Sequence, residues 1–404
     1  MNSVVFIGHV DSGKSTLCGQ ILYLTGQVPD RVIESYKKIA AETGMTDWWM
    51  SYVMDTDDAE RANGKTVEVA KATFTTGKRT FECIDTPGHK KYITNMISGA
   101  CCADIAIILV SAKAGEFEAG ITGGQTREHI LLAKTLGIDI IIIAVNKMDT
   151  CALDCTSDRF DYIQKELSPI LRMSGYKPKI DVVWVPMSAY SGKGVVDAYP
   201  GYSVSLFQAL DTVHIPEPDV NGSAVLLCCD QYKDNGYLVV NCKVISGTVS
   251  PGDTLLSMPD NTELQVHNTS ENVNLKVMFK TDAIRGDILC QANAQQPNVS
   301  NVIDVLLIIQ PMSGVITVGY TCILHMYTVS TPVIVKRVSS VTDVRGQVVT
   351  RKYILPGDRV RVYLELPKKL VVFNETENAR LSRITLRSNT DTVAIGKIIR
   401  YTRS

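Results

Sequence analysis

Gly8-His9-Val10-Asp11-Ser12-Gly13-Lys14-Ser15 places two glycines, separated by four residues, ahead of a lysine and a hydroxyl. This is the phosphate-loop pattern. Glycines let backbone N–H groups close around phosphate oxygens at a helix N-terminus, Lys14 brings a point charge to the β and γ oxygens, and Ser15 offers its hydroxyl to Mg²⁺. Thr16 would begin the helix behind the loop. Further along, Asp85-Thr86-Pro87-Gly88-His89 follows an apolar run. Asp85 suits a metal-facing carboxylate, and Gly88 could present its N–H to a γ-phosphate and change conformation when that phosphate leaves. Asn146-Lys147-Met148-Asp149 supplies a purine reader. The Asp149 carboxylate can accept from N1–H and the exocyclic amine of guanine, whereas adenine has no N1–H to give. Ser188-Ala189 falls where a backbone N–H could meet the guanine oxygen.

Each of these four segments has a plainer explanation when taken singly, as a glycine-rich turn or a strand-end loop. Their joint order makes chance a poor account. All four follow apolar runs, and ligands of open α/β sheets bind at the carboxyl ends of strands.

The elements that must position them can be read from the same pattern. In the first half, apolar runs at 4–7, 81–84, 105–110, 140–145 and 182–185 alternate with amphipathic stretches at 126–135 and 158–173. That rhythm predicts a mostly parallel sheet with helices on both faces. The pattern breaks at His214-Ile215-Pro216-Glu217-Pro218, where prolines among polar residues mark a linker. Beyond it come β-rich runs at 224–229, 237–245, 302–309, 333–338, 360–364 and 393–399, separated by turns such as Pro251-Gly252-Asp253 and Pro356-Gly357-Asp358. Regular spacing without helical periods predicts closed barrels. The expected organisation is an α/β nucleotide domain over 1–214, a linker at 215–221, and two all-β barrels over 222–298 and 299–404, with the polar stretch 291–301 as their seam.

At 404 residues the chain exceeds one ordinary core, and 45% hydrophobic with 21% charged residues excludes disordered and fibrous classes. Lys plus Arg (41) nearly balances Asp plus Glu (42), so global charge gives no broad pull toward RNA phosphates, and no sequence-specific nucleic-acid binding is expected. No apolar run reaches the roughly 20 residues of a membrane span. With no leader ahead of the first strand, the expected location is the cytoplasm. Eleven cysteines form neither a zinc nor a redox pattern and are read as reduced packing residues.

The phosphate loop, Asp85-Thr86-Pro87-Gly88-His89 and Asn146-Lys147-Met148-Asp149 together resemble the translational GTPases of the elongation factor 1-alpha superfamily. The resemblance covers essentially the whole chain and implies a P-loop GTPase domain followed by two β-barrels. It makes Thr66 the first-switch threonine, a Mg²⁺ ligand beside Ser15 and Asp85. It also implies that His89 positions the attacking water, that Val10 forms part of an apolar gate, and that GTP and GDP are the nucleotides.

Within that superfamily the chain is most similar to the GTPase subunit of the eukaryotic peptide-chain release factor (release factor 3). Trp48-Trp49-Met50-Ser51-Tyr52-Val53-Met54-Asp55-Thr56, Glu60-Arg61, Gly64-Lys65-Thr66-Val67-Glu68-Val69, Lys113 with Gly115-Glu116-Phe117-Glu118, and Gly123-Gly124-Gln125-Thr126-Arg127-Glu128-His129 carry this. Lys65 stands where related elongation factors have an apolar residue, leaving the gate opposite Val10 one-sided. Partners implied are the class-1 release factor and the ribosome, with no membrane. Arg383, Thr385, Leu386 and Arg387 match a segment that helps hold the stop-codon reader, although Ile384 and Ser388 depart from the pattern. A ribosome-rescue GTPase, elongation factor 1-alpha itself and the GTPase subunit of sulfate adenylyltransferase are the alternatives, and Gly64-Lys65-Thr66 argues for the release factor.

Overall fold

The computed structural model describes residues 2–42, 49–54, 69–88, 92–122, 125–151, 156–216, 219–271, 275–281, 287–294, 296–312, 314–388 and 391–402. Thr66, Lys65 and His89 lie outside these residues. The chain divides into two compact units near residue 216.

The first unit is built on a six-stranded sheet of β1 (Asn2–Gly8), β2 (Ala70–Thr75), β3 (Thr80–Asp85), β4 (Ile105–Ser111), β5 (Ile140–Asn146) and β6 (Val182–Pro186), in the order β2-β3-β1-β4-β5-β6. Every neighbouring pair is parallel except β2–β3. Helices are α1 (Lys14–Leu24), α2 (Asp30–Glu42), α3 (Ile93–Ala100), α4 (Glu116–Thr122), α5 (Gln125–Thr135), α6 (Thr156–Met173) and α7 (Leu206–Thr212). All seven β4 residues are buried, as helices on both faces of a parallel sheet require. Each such Ile or Leu contributes roughly 1.5–3 kcal/mol by leaving water. The start of α7 is fixed by a capping box, in which the Gln208 N–H donates to Ser205 Oγ at 3.2 Å and the Ser205 N–H to Gln208 Oε1 at 3.0 Å. β2 escaped the sequence reading because only Phe74 of its six residues is buried, so it carries no apolar run.

The second unit holds two barrels. β7 (Val225–Asp234), β8 (Tyr237–Ser246), β9 (Thr254–Met258), β10 (Thr262–Glu271), β11 (Leu275–Phe279) and β12 (Ile288–Gln291) close in the order β10-β11-β8-β7-β12-β9. In the other, β13 (Asn298–Ile309), β15 (Thr321–Met326), β16 (Val329–Thr342), β19 (Arg359–Val372), β20 (Arg383–Arg387) and β21 (Thr392–Tyr401) form the wall, closed by pairing of β15 with β16. Short strands β14 (Ile316–Thr317), β17 (Val348–Val349) and β18 (Tyr353–Ile354) decorate it. One apolar cluster runs through both barrels, joining Leu227, Leu256, Met258 and Ile288 to Leu324, Val362, Leu370 and Val372.

Among the described residues, eight cysteines are free thiols, including Cys18, Cys83, Cys228 and Cys242.

His325 on β15 is 5% exposed, and burial together with the Arg387 charge pushes its imidazole down to about 4 from 6.5. The unfolded chain therefore takes up a proton that the native chain refuses as pH falls from 6.5 toward 4. Stability present above that window should be lost through it. In His325→Gln, urea denaturation should show a flatter dependence on pH across the same range. Identical slopes for the two proteins would remove His325 from the titration.

Candidate nucleotide-binding site

Four loops leave the carboxyl ends of β1, β3, β5 and β6. The first is the phosphate loop, in which Asp11 and Gly13 take positive φ values of 61° and 93° before α1 begins at Lys14. Gly13 is required twice over, because a Cβ there would be strained and would also lie 2.4 Å from Asn146 Nδ2. The buried Lys14 ammonium donates to the carbonyls of Gly8 at 3.1 Å and His9 at 3.0 Å, which curls its side chain back over the loop. Burial pushes its pKa down, against the opposing charges of Asp85 and Asp11 and the Cys18 thiol. Ser12 Oγ and His9 Nδ1 are buried within this loop and make no hydrogen bond among the described residues. Val10 and Thr16 are half-buried.

The β3 end meets this loop directly. Parallel pairing sets Asp85 beside Phe6, and Ser15 Oγ donates to Asp85 Oδ2 at 2.6 Å. The hydroxyl and carboxylate expected to share Mg²⁺ are therefore adjacent, and both are hard oxygen donors of the kind that ion takes. Thr86 Oγ1 donates to the Phe6 carbonyl at 2.6 Å and anchors the loop that follows. Gly88 is pressed against the phosphate loop so closely that a Cβ would sit 2.4 Å from Lys14 Nζ and 2.9 Å from the Gly8 carbonyl. A side chain there would displace the lysine.

Asn146 joins the loop after β1 to the loop after β6. Its Nδ2 donates to the Ser12 carbonyl at 2.8 Å, and its Oδ1 accepts from the Ala189 N–H at 2.8 Å. Sequence reading gave Asn146 to the nucleotide; the fold gives it a bridge between three loops. The Ser188 N–H is donated to the Lys193 carbonyl at 2.9 Å, so both amides of the Ser188-Ala189 pair are engaged in anchoring their loop. A contact from Ala189 N–H to a guanine oxygen requires sharing that donor. Asp149 stands exposed on a short turn spanning Met148–Thr150. Tyr199 lies near it: burial and then the Asp149 charge raise the pKa of its phenol.

Lys147 has a positive φ of 64°, and its Nζ donates to Glu116 Oε2 at 2.8 Å. The same oxygen accepts from Ser111 Oγ at 2.8 Å, while Lys113 reaches Glu116 Oε1 at 3.1 Å. Partial burial alone would raise the Glu116 carboxyl, but the hydrogen bonds from Lys147, Ser111 and Lys113 outweigh it and bring the pKa down to about 2. Glu116 was part of the resemblance but not of the predicted site. Its signal was there: an acid on the first turn of a helix just after a strand that ends at the site.

On β20, Arg383 is half-exposed, whereas Thr385, Leu386 and Arg387 are 2%, 2% and 5% exposed. No helix among the described residues is long and apolar enough to cross a membrane.

Comparison with known proteins agrees with this geometry. Residues 1–232 match the elongation factor Tu GTP binding domain family, and residues 303–399 match the GTP-eEF1A C-terminal domain-like family. The eukaryotic peptide chain release factor GTP-binding subunit of Dictyostelium discoideum is 36% identical over 425 residues, covering 98% of this chain and 76% of that protein. The chain belongs to the family of that subunit. The release factor GTP-binding subunit of Kluyveromyces lactis is 34% identical, and the match covers 98% of this chain but 60% of the relative, so the chain spans about three fifths of its length. Among solved structures, the GTPase-like domain of S. cerevisiae Ski7 bound to GTP has a TM-score of 0.76 at 16% identity, covering 98% of this chain and 96% of that one. That likeness shows a shared fold, an α/β domain followed by two β-barrels.

Proposed function

We propose that this chain binds GTP and GDP with Mg²⁺, hydrolyses GTP under the stimulus of the ribosome, and acts in the cytoplasm in translation termination beside a class-1 release factor. The Asn146 bridge is the observation that carries the reading. One buried amide, 3% exposed, ties the glycine-rich loop after β1 to the loop after β6, which sets the two segments proposed to hold phosphate and base in one fixed frame.

Ser15 and Asp85, with Thr66 by the family resemblance, would hold Mg²⁺, which supplies positive charge to the β and γ oxygens. Lys14 swings from its two carbonyls to the phosphates, and the Gly88 N–H meets the γ-phosphate. Asp149 selects guanine. Phosphoryl transfer asks for positioning and charge neutralisation more than for covalent chemistry, so isolated turnover should be slow. By the family resemblance, His89 orients the water and Val10 forms part of an apolar gate.

His89→Ala should lower ribosome-stimulated turnover by roughly two decades, about 3 kcal/mol in the barrier, while leaving nucleotide affinity near normal. Turnover at the wild-type rate would exclude His89 from the mechanism.

For the partner, the half-exposed Arg383 is the side chain of its strand best placed to meet another protein, while Thr385, Leu386 and Arg387 shape that strand from within. Two measurements test the function. Calorimetry should give tight GDP and GTP binding and none for ATP. In a competition pull-down, the chain should retain the class-1 release factor over its rescue paralogue and over aminoacyl-tRNA. Exclusive capture of the charged tRNA would overturn the termination role.

A further inference from the structure

We propose that Glu116 is a positioning residue for guanine-nucleotide binding, acting through Lys147 to hold the base-reading loop in its working conformation. The proposal rests on the guanine-binding function above and adds to it a brace outside the four motifs.

Lys147 occupies the left-handed region at φ 64°, where an L side chain costs roughly 1–2 kcal/mol and persists only when its surroundings fix it. The backbone on either side is held: the Ala112 N–H donates to the Asn146 carbonyl at 2.7 Å, and the Met148 N–H to the Met187 carbonyl at 3.1 Å. The Lys147 side chain has its own anchor in Glu116 Oε2 at 2.8 Å. That carboxylate is itself immobilised, since Ser111 at the end of β4 and Lys113 just after it both approach it.

One helical turn holds a second acid in a matching role. Glu118 accepts the Gly115 N–H at 2.7 Å and pairs with Arg159 at 2.8 Å, and Arg159 Nε donates to the Ala112 carbonyl at 2.7 Å. The segment at 111–118 is thus a rigid abutment against which the base loop leans. The lysine and carboxylate are 27% and 30% exposed, so the pair is shielded in part from water and salt. Without Glu116, Lys147 keeps its unfavourable backbone but loses its tether, and the loop carrying Asp149 two residues on gains freedom.

A double-mutant cycle tests this on the full chain. Wild type, Glu116→Ala, Lys147→Ala and the double variant would be compared by GDP calorimetry and by stopped-flow release of a fluorescent GDP. Glu116→Ala should speed release about tenfold, on the scale of coupling between contacting residues. In the Lys147→Ala background, the same change should alter release by less than about twofold, because the group it acts through is gone. Glu116→Gln keeps shape and acceptor oxygen, so it should fall between wild type and alanine, and it stands in if the alanine variant does not fold. A Glu116→Ala protein that releases GDP at the wild-type rate would overturn the proposal. So would an equal effect with and without Lys147. Failure of the wild type itself to bind GDP would instead strike the guanine-binding function.

Discussion

Asp149→Asn should exchange the base preference of this chain, lowering GTP affinity by roughly three to four decades and creating measurable affinity for xanthosine triphosphate. A carboxylate accepts both guanine donors, N1–H and the exocyclic amine. In the amide, one acceptor becomes an NH₂ facing the guanine amine, donor against donor. Sites built to hydrogen-bond one substrate reject the mismatched analogue by about 10⁴ or more, because buried polar groups are left unpaired. Xanthine restores the match, since its 2-oxo group accepts from the amide. Asp149 is suited to so clean an exchange because it is exposed on a short turn, away from the buried bonds that shape the loop. Calorimetry with GTP, xanthosine triphosphate and ATP checks this. Undiminished GTP affinity would show that another residue reads the base.

Asn146→Ala should be nearly as damaging, by a different route. The variant loses two buried hydrogen bonds and leaves the Ser12 carbonyl and the Ala189 N–H unpaired. At roughly 1–3 kcal/mol for each abandoned buried group, GDP affinity should fall by about two to three decades and the melting temperature of the nucleotide-free chain should drop as well. Asp149→Asn should leave that melting temperature unchanged. The contrast separates the two roles: Asn146 builds the site, whereas Asp149 reads what enters it. An Asn146→Ala protein with normal melting and normal GDP affinity would refute the bridging role.

The parallel sheet could be read from the sequence because strands buried on both faces must be apolar along their length, as β4 and β5 are up to their last residues, Ser111 and Asn146. The barrels were legible only in their long strands. Strands such as β9 and β12, of five and four residues, are too short to show a period, and β10 places polar residues along most of its length. The site divided along similar lines. Glycines and charged groups at fixed spacing along the chain marked the candidate phosphate loop and the proposed base reader. Contacts across the fold did not announce themselves: Asn146 with Ser12, 134 residues away, and Lys147 with Glu116, 31 residues away, are products of strand order. Spacing along the chain predicts chemistry where one loop holds the whole motif. It is silent where two loops must meet.

The apolar cluster that threads both barrels has a mechanical corollary. Because Leu227, Met258 and Ile288 are packed in the same interior as Leu324, Val362 and Val372, bending one barrel against the other would tear that interior open to water. The pair therefore lacks a joint. A push received on either barrel turns both together as a single lever, and heat should melt them in one step.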